Sequence, residues 1–289
     1  MVTTLDHIVI GVRDLAASTA TLTRLLGRRP SWRGAHAAYG TANTLYRLDK
    51  TYIELLAPER TGQIADQLRD WLDQNGEGLF ALAFGTDDID RALAALGAKG
   101  VAVSEAAEGR GRELTSGVER EWRSSFLPLT ETRGAMLFLI QHLSPASRLP
   151  PAEPIAEAAA AISGCDHVVV QTPDPDAAIQ LYREKLGLRL ALDRTFRDWG
   201  ARLVFFRVGG ITVELVAELG VRDRSGPDRL WGISYQAPDV AAARARLAGQ
   251  GFDVSEVRPG RKPATRVFTV RGEPCGVATL VIGAETPPA

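Results

Sequence analysis

Two segments of the chain occur twice at a constant spacing. LDHIVIGVRDL at 5–15 returns as CDHVVVQTPDP at 165–175, and YIELLAPE at 52–59 returns as TVELVAEL at 212–219. Aligned positions are 160 residues apart throughout, so both copies keep the same order and separation. A repeat on this scale constrains the architecture more than any single predicted element, because each copy must fold as the same structural unit.

The repeat is finer than two halves. Residues 81–105 return as residues 232–256 at an offset of 151. The sequence therefore predicts four modules, of which the first and third are one type and the second and fourth another. Their approximate bounds are 4–58, 79–142, 164–219 and 229–284.

Each module is predicted to fold as one strand, one helix and three further strands. The β-branched runs that begin at His7 and His167 are typical of strands. Asp14 and Asp174 are suitable helix N-caps, and Gly27 suits the end of the first helix. The predicted fold class is therefore α+β, a tandem repeat of four β-α-β-β-β modules.

Chain length and a proline-rich segment predict two domains. A chain of 289 residues is long enough for two domains of roughly 150 residues each. Residues 143–163 contain four prolines and end in an alanine-rich run, which indicates a linker. We therefore place an N-terminal domain at 1–142 and a C-terminal domain at 164–289.

Composition and charge exclude several classes of function. A formal net charge of −1 gives no bulk attraction to nucleic acid or to an anionic membrane. The N-terminus has no basic segment, and its apolar run is too short for a signal peptide or a membrane span. Two cysteines rule out a disulfide framework. We expect a cytoplasmic protein whose partner is a small molecule, with no nucleic acid and no membrane, and leave a homodimer open.

A histidine and a carboxylate recur at one separation in the two copies. His7 and Glu54 are 47 residues apart, as are His167 and Glu214. A glutamate that faces inward from an apolar strand is costly unless it is paired, and the matched histidine is a natural partner. The pattern predicts a metal-binding or polar site in each copy, whereas the plainer interpretation is a satisfied core histidine.

The motifs DHIVI and IELLAP of module one, with DHVVV and VELVAE of module three, resemble those of the vicinal oxygen chelate superfamily. This superfamily contains glyoxalases, bleomycin-resistance proteins and extradiol dioxygenases. The segment GTANTLYRL at 40–48, followed by YIEL at 52–55, is similar to the glyoxalase-like domain branch.

The resemblance implies that modules pair into two cup-shaped, mixed-sheet domains. A divalent metal (Fe, Mn, Ni, Co or Zn) would lie in the cup, held from the first and last strands of each module. Carried over to this sequence, the resemblance assigns His7, Glu54, His167 and Glu214 as metal ligands.

The remaining ligand positions of the resemblance carry residues that cannot bind a metal. They are Ala81 and Phe138 in module two, and Gly232 and Leu280 in module four. Each cup then contains one histidine and one glutamate, which is a weak metal site by itself.

Three interpretations of this departure stay open. In the first, His36 or His142 completes a metal site with His7 and Glu54. In the second, modules one and three pair directly, so that both histidines and both glutamates form one site. In the third, no metal binds, and each pair binds ligand or transfers a proton.

Further residues are candidates for contact with a substrate. His36, in the glycine-bounded segment GAHAAYG, is a candidate acid or base beside Glu54 and Glu214. Tyr39 and Trp199 align with each other and are expected in the cup wall, as is Phe138. Arginines on the long connecting segments, including Arg123 in module two and Arg261 in module four, bind an anion or are simply solvated.

The predicted function is a divalent-metal-dependent enzyme that acts on a small oxygenated metabolite. Lyase, isomerase and dioxygenase chemistry are all compatible with the resemblance. The alternative is a metal-free protein of the bleomycin-resistance type, which binds or sequesters a small molecule.

Overall fold

A computed structural model of the protein describes residues 1–155 and 157–285. Residue 156 of the predicted linker and residues 286–289 of the predicted C-terminal domain lie outside the described residues. The elements of the first half are β1 (Thr4–Gly11), α1 (Leu15–Leu26), β2 (Trp32–His36), β3 (Thr41–Arg47), β4 (Tyr52–Pro58), α2 (Gln63–Asn75), β5 (Gly78–Gly85), α3 (Ile89–Gly97), β6 (Ala107–Glu113), β7 (Glu119–Phe126) and β8 (Leu137–His142).

The second half has the same order of elements except for a counterpart of α2. Its elements are β9 (Gly164–Gln171), α4 (Pro175–Ile179), β10 (Arg189–Phe196), β11 (Ala201–Val208), β12 (Ile211–Glu218), β13 (Arg229–Gln236), α5 (Val240–Gly249), β14 (Arg258–Pro259), β15 (Thr265–Val270) and β16 (Ala278–Ala284). The predicted caps Asp14 and Asp174 begin α1 and α4, and each side chain accepts a backbone N–H three residues on. The helix begun by α4 continues as a π-helix over Gln180–Lys185, where the sequence predicts a regular α-helix.

The eight strands of the first half form a closed barrel, which we call the N-terminal barrel. Their order is β1-β4-β3-β2-β6-β7-β8-β5. β1 is parallel to β4 and antiparallel to β5, so the first and second quarters of the chain pair with each other. A narrow seam between β2 and β6 closes the barrel through Gly34 opposite Glu113 and Ala35 opposite Arg112. The sequence predicts an open, cup-shaped sheet for this half. The structure differs from that prediction because the seam closes the sheet into a barrel.

The eight strands of the second half form an open sheet, which we call the C-terminal sheet. Their order is β10-β11-β12-β9-β13-β16-β15-β14, with β10 and β14 at the two edges. β9 pairs with β13, so the third and fourth quarters pair with each other. The interpretation in which modules one and three pair directly is wrong, because His7 and His167 lie in different sheets.

The two halves share one continuous apolar core. It joins side chains from the outer face of the barrel, such as Ile8 and Leu82, to those from the outer face of the C-terminal sheet, such as Val168 and Phe206. The segment between the halves also packs on the barrel, where Leu149 contacts Trp32. None of the helices in the described ranges is long and apolar enough to cross a membrane.

The seam of the barrel leaves no space for a side chain at Gly34. A Cβ added there would meet the backbone oxygen of Arg112 at 2.7 Å, so the two strands would have to separate. We expect Gly34→Ala to lower the free energy of unfolding by about 1–3 kcal/mol, which is the usual cost of overpacking. Urea denaturation checks this. Gly249→Ala is the matched control, because a Cβ there meets nothing within 4 Å, and an equal loss in both variants would contradict the prediction.

Candidate functional site

The N-terminal barrel encloses a cavity that is partly open to solvent, with about 770 Å³ of space not filled by atoms when the solvent at its opening is included. Most of its wall is apolar or aromatic, with Trp32, Tyr39, Tyr52, Phe80, Trp122, Phe126 and Phe138 among the lining residues. Helix α2 lies against one end of this wall, where Trp71 packs edge-on against Phe80 with ring centroids 5.3 Å apart. The polar lining is concentrated around His7, His36 and Glu54.

A β-bulge in β1 brings the side chain of Asp6 into contact with that of His7, which lines the cavity. In the register with β5, Leu5 lies opposite Phe84 and His7 opposite Ala83, so Asp6 is an extra residue without a partner. Successive residues of a regular strand face opposite sides, but a bulge interrupts this alternation. Leu5 therefore packs in the outer core, while the side chains of Asp6 and His7 contact each other.

On one side of His7, hydrogen bonds run across three neighbouring strands. His7 Nε2 lies 3.3 Å from Glu54 Oε2. Asn43 Nδ2 donates to Glu54 Oε1 at 2.8 Å and lies 3.2 Å from His36 Nε2. His36 Nδ1 in turn lies 3.0 Å from the hydroxyl of Thr41. All of these side chains are buried. His7, His36, Thr41 and Glu54 line the cavity and form what we call its polar wall, and Asn43 links Glu54 to His36.

On the other side of His7, the network reaches the end of β8. His7 Nδ1 lies 2.8 Å from Asp6 Oδ1, and His142 Nε2 lies 3.1 Å from each oxygen of Asp6. The ring of His7 also stacks on Tyr52, with centroids 4.4 Å apart. Asp6 therefore fixes the orientation of His7, and His142 binds Asp6 rather than completing a set of ligands with Glu54.

These contacts shift the pKa values of the wall in consistent directions. Burial raises the pKa of Glu54, but hydrogen bonds from His7 and Asn43 outweigh it and leave the pKa below its ordinary value. Burial lowers the pKa of His7, but the carboxylates of Asp6 and Glu54 outweigh it and leave the pKa raised. Burial lowers the pKa of His36. The two carboxylates therefore favour the imidazolium form of His7, whereas burial favours the neutral form of His36.

The His7–Glu54 pair predicts a defined pH dependence of stability. Glu54 has a lowered pKa in the folded protein, so its contribution is present above the ordinary value of 4.5 and is lost as the pH falls through the folded value. His7 has a raised pKa, so its contribution is present below 6.5 and is lost as the pH rises through the folded value. We expect the stability difference between the wild type and a His7→Gln/Glu54→Gln variant to be largest between these two values. Denaturation series across pH check this, with Arg271→Gln/Asp253→Asn, an exposed pair, as the control. A difference that does not change with pH would contradict it.

The C-terminal sheet carries the second histidine–glutamate pair on the face opposite to the shared core, which we call its inner face. His167 Nε2 lies 3.2 Å from Glu214 Oε2, and a bulge again places Asp166 beside the histidine, with its Oδ1 2.8 Å from Nδ1. The positions that correspond to Asn43 and His36 carry Leu203 and Phe196. Burial raises the pKa of Glu214, against the effect of His167. The same pair therefore lies in a different electrostatic setting.

The structure brings together most of the residues predicted for the first site. His7, Glu54, His36, Tyr39 and Phe138 all line the barrel cavity. His167 and Glu214 belong to the C-terminal sheet, whereas Trp199 lies in a single helical turn between β10 and β11 and is exposed.

Arg123 does not line the barrel cavity. It lies on the outer face of β7, where its guanidinium forms a bidentate ion pair with Asp90 at 2.7 and 2.9 Å. Its neighbours Trp122 and Ser124 face the cavity, because side chains alternate along the strand. The arginine that does line the cavity is Arg120, which is buried and lies over the rings of Trp32 and Tyr52.

Sequence analysis misses three residues of the site: Asp6 and Asn43, which contact His7 and Glu54, and Arg120, which lines the cavity. Asp6 precedes His7 in both copies, and this recurrence is a signal that could have identified it. Asn43 lies at an inward position of β3, next to Thr44, which faces outward. Only the strand register reveals the contact of Asn43 with Glu54. Arg120 lies three residues from Arg123, so its orientation depends on the phase of β7.

The barrel provides two of the four metal ligands that the superfamily resemblance implies. His7 and Glu54 converge, but Ala81 and Phe138 at the other two positions are apolar lining residues. Within residues 1–155 and 157–285, no group of three or more histidine, cysteine, aspartate or glutamate side chains is arranged to hold a metal ion. Both ring nitrogens of His7 also face carboxylate oxygens. The residues present therefore do not fit a complete four-ligand metal site.

Comparison with known proteins identifies relatives of both halves. The sequence pattern of the family described as "Glyoxalase-like domain" matches residues 5–164, and that of the "Glyoxalase/Bleomycin resistance protein/Dioxygenase superfamily" matches residues 166–269. An ethylmalonyl-CoA/methylmalonyl-CoA epimerase of Cereibacter sphaeroides is 28% identical over 100 residues, which cover 32% of this chain and 75% of that protein.

Two solved structures share the arrangement over nearly the whole chain. A triple mutant of 4-hydroxymandelate synthase from Streptomyces coelicolor matches with a TM-score of 0.70 and 14% identity, over 100% of this chain and 94% of that chain. The Mn(II)-bound glyoxalase from Novosphingobium aromaticivorans matches with a TM-score of 0.64 and 16% identity, over 98% and 82%. At such identities the likeness establishes the fold. The family match extends over more than half of the sequence, and the chain belongs to the glyoxalase-like domain family of the vicinal oxygen chelate superfamily.

Proposed function

We propose that the protein is an enzyme whose active site is the cavity of the N-terminal barrel, and that it acts on a small oxygenated metabolite with a largely apolar body. We also infer that the chain derives from four repeated β-α-β-β-β units. The observation that carries the functional proposal is the contact of Glu54 with His7 at the polar wall of an aromatic cavity. Buried charged groups of this kind are concentrated at functional sites.

The proposed chemistry is proton transfer at a carbon next to a carbonyl group. Glu54, which is ionised because its pKa is lowered, would remove the proton as general base. The electron pair of the broken C–H bond would move into the carbonyl, and the resulting enolate would carry its negative charge on oxygen. Arg120, an arginine of the cavity wall, would support this charge, and His7 would hold Glu54 in place. Return of the proton to either face of the carbon completes the reaction.

The walls of the cavity favour a substrate with a flat or aliphatic body. Tyr39 and Phe138 both lie in the lining, and Phe138 stacks on Phe126 with centroids 4.7 Å apart. Such side chains contribute contact area rather than hydrogen bonds. His36, which is neutral because burial lowers its pKa, is the candidate second acid or base of the same wall.

Divalent-metal chemistry is the second candidate function. It is supported by the contact of Asp6 with His7 Nδ1, because metal-binding histidines commonly donate their other ring N–H to a carboxylate. The Mn(II)-bound glyoxalase of similar fold supports it as well. His7 Nε2 and Glu54 would be the protein ligands, and His7 would first have to lose its Nε2 proton.

Hydrogen–deuterium exchange tests the proposal over a panel of small carbonyl compounds. Protein freed of metal by chelation is incubated in D₂O with each compound, and loss of the α-proton signal is followed by NMR. Methylmalonyl-CoA is the first compound to test, because an epimerase acting on it is similar in sequence. Catalysed exchange by the metal-free protein supports proton transfer by Glu54. Exchange only with one bound metal per chain favours the second candidate, and tight binding without any reaction favours a sequestering protein.

A further inference from the structure

Arg120 is a buried cation in the wall of the N-terminal barrel. It is 8% exposed, and within residues 1–155 and 157–285 every other lysine and arginine is at least partly exposed. Its guanidinium lies 5.7 Å from the ring centroid of Trp32 and 5.5 Å from that of Tyr52, and all three residues line the cavity. A charge in such an apolar setting costs free energy unless it is paired.

Strand β7 directs Arg120 into the cavity and its acidic neighbours away from it. Trp122 and Ser124 line the cavity, and Arg120 shares their face because side chains alternate along a strand. Glu121 faces outward, where it pairs with Arg110 at 2.6 Å on the surface. The strand therefore separates the arginine from the adjacent carboxylates that could neutralise it.

The carboxylate of the cavity lining is already engaged elsewhere. One oxygen of Glu54 accepts from Asn43, and the other contacts His7. The ion pairs of the described residues include Arg133 with Asp228 but none with Arg120. The positive charge of Arg120 is therefore uncompensated by protein carboxylates.

The two aromatic rings offset only part of the cost of this buried charge. Their attraction for a cation is weaker than that of a carboxylate in a bidentate pair. Burial raises the pKa of Tyr52, so its phenol stays neutral beside the guanidinium. An anion that entered the cavity would be stabilised at Arg120.

Tyr52 connects this arginine with the proposed reacting groups. Its ring stacks on that of His7 with centroids 4.4 Å apart, and the same ring contacts the guanidinium of Arg120. An anionic group on Arg120 therefore lies one aromatic side chain away from the His7–Glu54 pair. A single small molecule can reach both.

We propose that the substrate of the N-terminal barrel carries an anionic group, a carboxylate or a phosphate, that binds Arg120 while the apolar body of the substrate lies against the aromatic lining. This inference rests on the proposed function, because it names the substrate class of the same cavity. The planar fork of a guanidinium matches two oxygens of such a group. One edge of the fork can hold the anionic group throughout, and the remaining N–H donors can support the enolate oxygen as its charge develops.

Calorimetric titration with phenylacetate, phenyl phosphate and phenylacetamide tests the proposal. The amide has the shape of phenylacetate without its charge, and comparison of the two anions distinguishes a carboxylate from a phosphate. We expect at least one anion to bind the wild type about tenfold or more tightly than the amide, because hydrogen bonds to charged groups are stronger than neutral ones. Arg120→Met should abolish this preference, and Arg120→Lys, which keeps the charge, should retain part of it.

Arg123→Met is the matched control. Arg123 lies on the same strand but faces outward and pairs with Asp90, so its removal should leave the preference for the anion unchanged. Circular dichroism verifies that each variant folds, and the comparison of anion with amide on the wild type needs no variant.

The inference and the proposed function can fail separately. If no compound shows proton exchange but the preference for an anion depends on Arg120, the reaction is wrong and the substrate class stands. The inference is overturned if phenylacetamide binds as tightly as both anions, or if neither anion binds at millimolar concentration. Equal effects of Arg120→Met and Arg123→Met would also overturn it.

Discussion

Glu54→Gln is expected to lower catalysed α-proton exchange by a factor of about 10²–10⁴, the usual contribution of a general base. The substitution preserves the size of the side chain and its hydrogen bond to Asn43 while removing the negative charge that accepts the proton. The variant should remain folded, because it introduces no new volume into the cavity wall. Exchange rates measured by NMR at saturating substrate, with the free energy of unfolding measured in parallel, check both expectations.

Glu214→Gln is the matched control for this experiment. Glu214 contacts His167 in the same way, but on the inner face of the C-terminal sheet. If the barrel is the active site, the control retains the wild-type exchange rate. Loss of exchange in Glu214→Gln with retention in Glu54→Gln would move the active site to the second half. Equal exchange rates in the two variants would contradict the assignment of Glu54 as the general base.

His7→Leu is expected to lower the free energy of unfolding by about 3 kcal/mol at pH 6, because removal of one partner leaves a buried charge uncompensated. His7 and Glu54 are 3% and 7% exposed, so water cannot replace the lost contact. Asp6 retains His142 as a partner, which confines the effect largely to Glu54. Chemical denaturation measures the loss.

The double variant His7→Leu/Glu54→Leu separates loss of the pair from loss of packing. Apolar residues in place of a buried ion pair are often neutral or stabilising, so the double variant should recover most of the lost stability. His167→Leu is the second comparison. Its side chain is 17% exposed, against 4% for His7, and we expect a smaller loss. A double variant less stable than His7→Leu would contradict this account of the pair.

The repeated segments are sufficient to predict most of the fold. The strands predicted around His7 and His167 are β1 and β9, and the helices predicted after Asp14 and Asp174 begin there as α1 and α4. Local hydrophobic patterns and helix caps carry this information. Closure of the barrel cannot be predicted in this way, because it depends on pairing between β2 and β6, two strands of different modules that local patterns do not bring together.

The sequence predicts the pairing of His7 with Glu54 but not the residues that surround this pair. His7 and Glu54 recur with equal spacing, and the structure places them in contact. Asp6 escapes prediction because strict alternation would direct it away from His7, and only the bulge brings it back. The corresponding bulge of β9 explains why Cys165, two residues before His167, lies in the shared core rather than on the face of His167. Arg123 rather than Arg120 is the sequence-based candidate because sequence alone does not fix which residues of β7 face inward.

The common core of the two halves limits how this chain can change in evolution. After a duplication, one copy is usually free to decay or to be deleted once the other performs the reaction. Here each half covers the apolar outer face of the other half, so truncation of either would expose that face to water. The outer face of each half is therefore constrained by its neighbour, whereas the concave sides differ, as Gly34 and Arg194 at aligned positions illustrate.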